Sequence, residues 1–181
     1  MGGSNDILTI SGVFIDPFDA KPDQINVYDI AHALSLICRA NGHIDHFYSV
    51  AQHCLNCVKE ARARGFSKKI QLYCLLHDAA ECYISDITRP VKNRLELYKE
   101  SEEKLLNIIY KTLCESIPTE EECSQIGIVD DCLLHHEFLI LRGVKIFDEE
   151  PCLYSKCSFE NYDIINVRES YINLYRELAD K

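Results

Sequence analysis

The sequence predicts an all-α domain that carries a short β-hairpin or extended arm at its N-terminus. Three observations predict it. Only 7 Gly and 5 Pro interrupt 181 residues. Apolar residues recur at helical spacing from Asp29 onward. The periodic stretches also begin and end on capping and stop signals. A chain of 181 residues is long enough to bury a core without disulfides or a structural metal. No repeat, low-complexity run or linker divides it, so residues 1–181 are read as one domain.

The elements follow in chain order. Residues 7–15 have β-branched bias around a central glycine and read as the hairpin or arm. Residues 16–26 hold Pro17 and Pro22 among acidic turn formers and read as a loop. Asp29 is expected to cap a helix with Ile30, Ala33, Leu34 and Ile37 on one face, stopping near Asn41-Gly42. A second helix is expected from Ser49 to Arg64, closed by Gly65, with Val50, Leu55 and Val58 inward. Ser67 then caps residues 70–83, which are apolar almost all round and read as a central, buried helix. After Pro90, residues 95–114 form a long amphipathic helix with Leu105, Ile108, Ile109 and Leu113 inward. Thr119 and Glu122 resemble a capping box for a helix reaching about Leu141. Residues 143–159 read as irregular, and residues 163–178 as a last amphipathic helix.

Charge narrows the function classes. The net charge is -10, from 19 basic and 29 acidic residues. A sequence-independent nucleic-acid binder needs basic surface, so no nucleic-acid polymer is expected as a partner. A small phosphate ester remains compatible if a few cations converge locally. The N-terminus has no basic region followed by an apolar one, no stretch has the length of a membrane span, and the ten cysteines read as reduced thiols. A cytoplasmic protein without membrane contact is expected.

The residues that carry chemistry stand out against that background. His77, Asp78 and Glu81 lie within the expected buried helix. Ionisable groups are rarely buried unless paired or bound to metal. Glu81 lies at i+4 from His77 and i+3 from Asp78, so the three can face one cleft. Imidazole and carboxylate donors together suit Zn, Mn, Fe or Co. His53 on the preceding helix and Asp130-Asp131 on a later one are further candidates, and a bundle interior is a common place for such sites. Separately, each is ordinary: a packed histidine, a chance dipeptide, a solvated acidic face. Asp130 shares a face with Glu137, Asp131 with Phe138, and helical period does not choose between them.

Taken in order, His53, His77-Asp78 and a late aspartate resemble the H…HD…D signature of the HD phosphohydrolase superfamily. His77 to Glu81 followed by Asp86, Pro90, Val91 and Lys92, together with residues 39–43 and 47–53, look like bacterial and phage HD-domain 5′-deoxynucleotidases. The resemblance covers about residues 7–142, with the motifs inside 29–142. It implies an HD-domain helical bundle with one divalent metal ion (Mn, Co, Mg, Zn or Fe) held by His53, His77, Asp78 and Asp130. Asp130 is chosen over Asp131 because similar sequences place a glutamate seven residues after the aspartate, as Glu137 stands here.

The resemblance also implies Glu81 as the group that orients or deprotonates water, and Asp86 as a general acid or shaping residue. It places Arg39 against the nucleotide; the alternative for Arg39 is a helix-end residue satisfying terminal carbonyls. Arg89 and Lys92 are weaker phosphate candidates, and His32 and His43 read as structural or supporting. The activity implied is hydrolysis of deoxyribonucleoside 5′-monophosphates. Removal of triphosphate from a dNTP, or a silent nucleotide- or metal-binding module, are the alternatives. Related enzymes pair, so a homodimer is an expectation. Cys54-x-x-Cys57 and Cys152/Cys157 leave a thiolate zinc site as a third, weaker reading.

Overall fold

The computed structural model describes residues 2–180 and is all-α apart from one hairpin. Strands β1 (Ile7–Leu8) and β2 (Phe14–Ile15) pair antiparallel, Ile7 opposite Ile15. Eight helices follow: α1 (Val27–Leu36), α2 (Val50–Ala63), α3 (Lys68–Leu76), α4 (Glu81–Ile84), α5 (Arg89–Lys92), α6 (Glu96–Leu113), α7 (Glu120–Arg142) and α8 (Ile164–Leu178). Among the described residues, no helix is long and apolar enough to cross a membrane.

Local signals explain most boundaries. Ser49 caps α2 and forms a capping box with Gln52, and Gly65 ends the helix at φ 75°. Thr119 and Glu122 form the expected capping box on α7, whose end falls at Gly143 with φ 65°. Ser67 and Asp163 cap α3 and α8. The inward face of α6 includes Leu105, Ile109 and Leu113.

Three expectations are corrected. The cap of α1 is Asn26, whose side chain accepts from the Asp29 backbone N–H; Asp29 lies in the first turn and is buried. Its carboxylate accepts from the Ser11 backbone N–H at 2.9 Å and the Ser11 hydroxyl at 2.7 Å, tying the hairpin to the bundle. Helix α1 also ends at Leu36, five residues early, because Ile37 turns extended and its carbonyl accepts from the Val50 N–H. Residues 70–83 are not one helix, since the segment tightens over residues 77–80 between α3 and α4.

The bundle is centred on α2 and α3, which pack together; α7 lies against both, and α1 and α8 close the other side. The irregular segment 143–163 is held as a strap over α2. Gln52, Asn56 and Glu60 form an i, i+4, i+8 ladder of buried polar side chains on that helix. Gln52 and Asn56 donate to the carbonyls of Glu160 and Ser158, and Glu60 accepts from the N–H groups of Tyr154 and Ser155. Irregular backbone can lie against the core only when its polar groups find such partners.

Candidate metal centre

His53, the residue after Gln52 on α2, is buried toward the centre of the bundle. His53 is fully buried, and its Nε2 lies 3.2 Å from His77 Nε2, 3.2 Å from Asp130 Oδ1 and 3.7 Å from Asp78 Oδ2. His77 Nε2 is 3.3 Å from Asp78 Oδ1 and 3.8 Å from Asp130 Oδ1. Two imidazoles and two carboxylates from α2, the α3–α4 junction and α7 thus converge on one point.

Each helix contributes for a local reason. At the junction, Ala79 N–H donates to Leu76, Glu81 to Asp78 and Tyr83 to Ala80, all three-residue closures. His77 and Asp78 lie at this junction between α3 and α4, and both side chains reach the same centre. On α7, Asp130 turns inward, whereas Asp131 is half exposed and bonds Arg89 at 2.7 Å. The geometry therefore separates the two aspartates that helical period left equivalent.

The distal ring nitrogens are also occupied. His53 Nδ1 meets Glu137 Oε1 at 2.6 Å, and His77 Nδ1 meets the Cys74 carbonyl at 2.9 Å. Acceptors at both Nδ1 atoms favour rings protonated there, which leaves each Nε2 lone pair for a ligand. That arrangement is the usual support for metal-bound histidine. The donor set fits a divalent ion on its chemistry. Thiols stand close behind it: Cys57 Sγ is 3.4 Å from His53 Nε2, and Cys57 and Cys54 each join a three-donor group with His77. Burial pushes the Cys54 thiol up to about 11, so it stays protonated.

Without an ion, the electrostatics are those of a compressed cluster. Burial disfavours charge on His77, but Asp78 and Asp130 outweigh it and hold the imidazole well above its ordinary value. The same contest raises His53, with burial and Arg39 opposing and Glu137 and Asp130 favouring the proton. Asp130 is held well below the carboxylate range, its burial outweighed by hydrogen bonds from His53 and His77.

The cluster opens into a cavity of about 680 Å³ lined by Asp78 and Asp130 together with Arg39, Glu81, Asp86, Arg89, Lys92 and Glu137. Arg39 lies three residues past the end of α1, and its guanidinium bonds carboxylates. Its N–H bonds the Tyr48 carbonyl at 2.9 Å, and its guanidinium spans Asp78 at 3.4 Å and Glu137 at 3.3 Å. Left-handed Ala40 and Asn41, at φ 53° and 52°, turn the chain sharply just after it. Glu81 Oε2 and Asp86 Oδ2 are buried without hydrogen-bond partners. Burial, then Asp78 and Asp86, push Glu81 well above the carboxylate range; burial raises Asp86 likewise. Arg89 holds Asp130 at 3.1 Å as well as Asp131, and Lys92 bonds Glu102 at 2.6 Å with Glu81 at 3.8 Å. His43 lines the cavity, while His32 stacks on Tyr28 away from it.

Two features escaped sequence reasoning. Glu137 was visible only as a spacing, and its double grip on His53 and Arg39 needs the folded chain. The far wall of the cavity is apolar and includes Phe138, Ile146 and Phe147, for which the sequence carried no signal beyond ordinary hydrophobicity.

Comparison with known proteins adds lineage to this geometry. The HD domain family matches residues 34–127, a span that includes His53 and His77-Asp78 and ends just short of Asp130. The chain is 41% identical over 103 residues to the uncharacterized protein YfdR of Escherichia coli K12, covering 57% of this chain and 55% of that protein. It is 37% identical over 107 residues to an uncharacterized protein of Rhodobacter capsulatus, covering 56% of this chain and 54% of the relative. The matches thus span about half the length of these relatives.

Proposed function

Since the chain belongs to the HD domain family, whose members are generally metal-dependent hydrolases, we propose that it is a metal-dependent phosphohydrolase acting on deoxyribonucleoside 5′-monophosphates. The observation that carries this reading is the convergence of His53, His77, Asp78 and Asp130 beside an open cavity. Charge supports it. Three cationic side chains line the cavity against five carboxylates. A phosphate dianion would be repelled by that lining alone, and a divalent cation corrects the balance.

His53, His77, Asp78 and Asp130 would hold the ion. When bound, it supplies positive charge opposite the phosphoryl oxygens and acidifies water. The remaining work belongs to the chain. Arg39, already desolvated, offers a planar guanidinium to phosphate oxygen. Glu81 has a carboxyl oxygen without a hydrogen-bond partner and an affinity for protons raised by burial and by Asp78 and Asp86, which suits taking a proton from water. Asp86 carries the same two features and is suited to protonate the departing 5′-oxygen.

Monophosphate is favoured over triphosphate because each cation of the cavity is already partnered by a carboxylate. Little positive charge is left for a longer phosphate chain. The buried, unpaired carboxyl oxygens of Glu81 and Asp86 weigh against a silent binding module, since merely retaining an ion does not require them. The test is to incubate the protein with Mn, Co, Mg or Zn and panels of dNMPs and dNTPs, then identify the released phosphate species. Inorganic phosphate from dNMPs supports the proposal, triphosphate from dNTPs replaces it with the alternative reaction, and no turnover with any pair refutes it.

A further inference from the structure

The cavity has two chemically different ends, and α7 connects them. Asp130 stands beside the imidazoles, while Phe138 and Leu141 line the same cavity farther along the helix. At 1.5 Å per residue, Asp130 and Leu141 are separated by roughly 16 Å along the axis. Ile146 and Phe147, from the irregular segment after α7, complete the apolar end.

Phe147 is held in place. Its ring stacks on His135 with centroids 5.8 Å apart and an interplanar angle of 14°, and its backbone N–H donates to His135 Nδ1 at 3.3 Å. His135 is itself fully buried. The Phe147 ring is thus packed against a buried partner, while the residue also lines the cavity. A flat apolar group entering beside it would meet a ring whose orientation is already fixed, so little ordering cost remains. This segment lies outside residues 34–127, the part matched to the HD domain family.

We propose that Phe147, backed by His135 and flanked by Phe138 and Ile146, is the specificity-determining platform that receives the base of the nucleotide substrate. The proposal rests on the nucleotidase reading, and it adds that base recognition comes from this chain's own segment after α7. Phosphate is gripped at the charged end and the ring is stacked at the apolar end, so discrimination appears between esters that carry a base and esters that lack one.

The experiment compares dAMP with 2-deoxyribose 5-phosphate, the same ester without its base, in the metal-loaded protein and in F147L and F147W. Base–aromatic stacking is typically worth about a tenfold to hundredfold effect. F147L is expected to lose about that factor in kcat/KM for dAMP, with the base-free ester changed less than about twofold and F147W restoring selectivity. An equal fall on both esters, or an unchanged ratio, overturns the proposal. A second arm measures calorimetric binding of 2′-deoxyadenosine, which needs no turnover. Binding by the parent protein and its loss in F147L support the platform even if no ester is hydrolysed, an outcome that would sink the nucleotidase reading alone. Absence of deoxyadenosine binding to the parent at millimolar concentration, or its persistence in F147L, overturns the platform.

Discussion

Replacing Glu137 with Gln removes one charge from a buried partner of His53 in the candidate metal centre and leaves its shape almost unchanged. The side chain is 4% exposed and meets His53 Nδ1 at 2.6 Å and Arg39 at 3.3 Å. A hydrogen bond to a charged group contributes about 1.5–3 kcal/mol, against about 1 kcal/mol for a neutral one. Gln can keep the weaker bond to His53, so the loss is the difference, about 0.5–2 kcal/mol. Carried into binding, that is roughly a two- to thirtyfold rise in the metal Kd, whose upper end reaches the range usual for residues supporting metal-bound histidine. E137A should do worse. It also deprives the Arg39 guanidinium of one of two carboxylates, and breaking buried pairs costs about 3–5 kcal/mol, so a large fall in thermal midpoint is expected. The assay is competition with a chromophoric chelator near neutral pH, with circular dichroism to verify the fold. An E137Q protein that is folded and binds metal within twofold of the parent would refute the argument that Glu137 tunes His53.

Further outcomes follow from the same geometry. H77A and D78A should each abolish tight metal binding and hydrolysis together, as should D130N, whereas D131N should retain both; equal effects of D130N and D131N in a metal titration would contradict the inward placement of Asp130. E81Q should keep metal affinity while lowering kcat by roughly 10²–10⁴, and loss of metal by inductively coupled plasma analysis would show that Glu81 is a ligand instead. pH should separate the free and loaded forms. Raised imidazole values mean that His53 and His77 stabilise the metal-free fold below the ordinary histidine value and lose that contribution as pH rises through their folded values. Asp130, with a lowered value, keeps its contribution until strongly acidic conditions. The metal-free midpoint should therefore fall as pH rises above the ordinary histidine value of about 6.5 while the loaded one holds, because the ion replaces the imidazole protons; parallel curves in differential scanning fluorimetry would count against this. N26A should lower stability by about 1 kcal/mol or somewhat more, read as a denaturant midpoint, because Asn26 caps α1 and also donates to buried Asp29 at 2.7 Å.

The division between what was legible in the sequence and what was not follows the range of the forces involved. Capping is settled within four residues, so the start at Ser49, the stop at Gly65 and the box of Thr119 with Glu122 were readable and marked α2 and the start of α7 closely. The amphipathic faces of α6 and α8 were readable for the same reason. Errors appeared where a distant partner outweighed a local preference. Asp29 looks like a cap until Ser11 claims its carboxylate, and α1 looks longer until Val50 takes the Ile37 carbonyl.

The amino-acid order by itself marked the longer helices, though neither the break after Leu76 nor the short α5, and offered His53, His77, Asp78 and a late aspartate as candidate donors for the bundle interior. Only the packing of α7 against α2 and α3 decided that Asp130 rather than Asp131 meets the imidazoles, that Glu137 grips His53, and that Phe147 stacks on His135. Helical period fixes a direction only relative to its own axis. Where that axis lies is set by burial of apolar surface shared among all the helices, a quantity no short stretch of sequence contains.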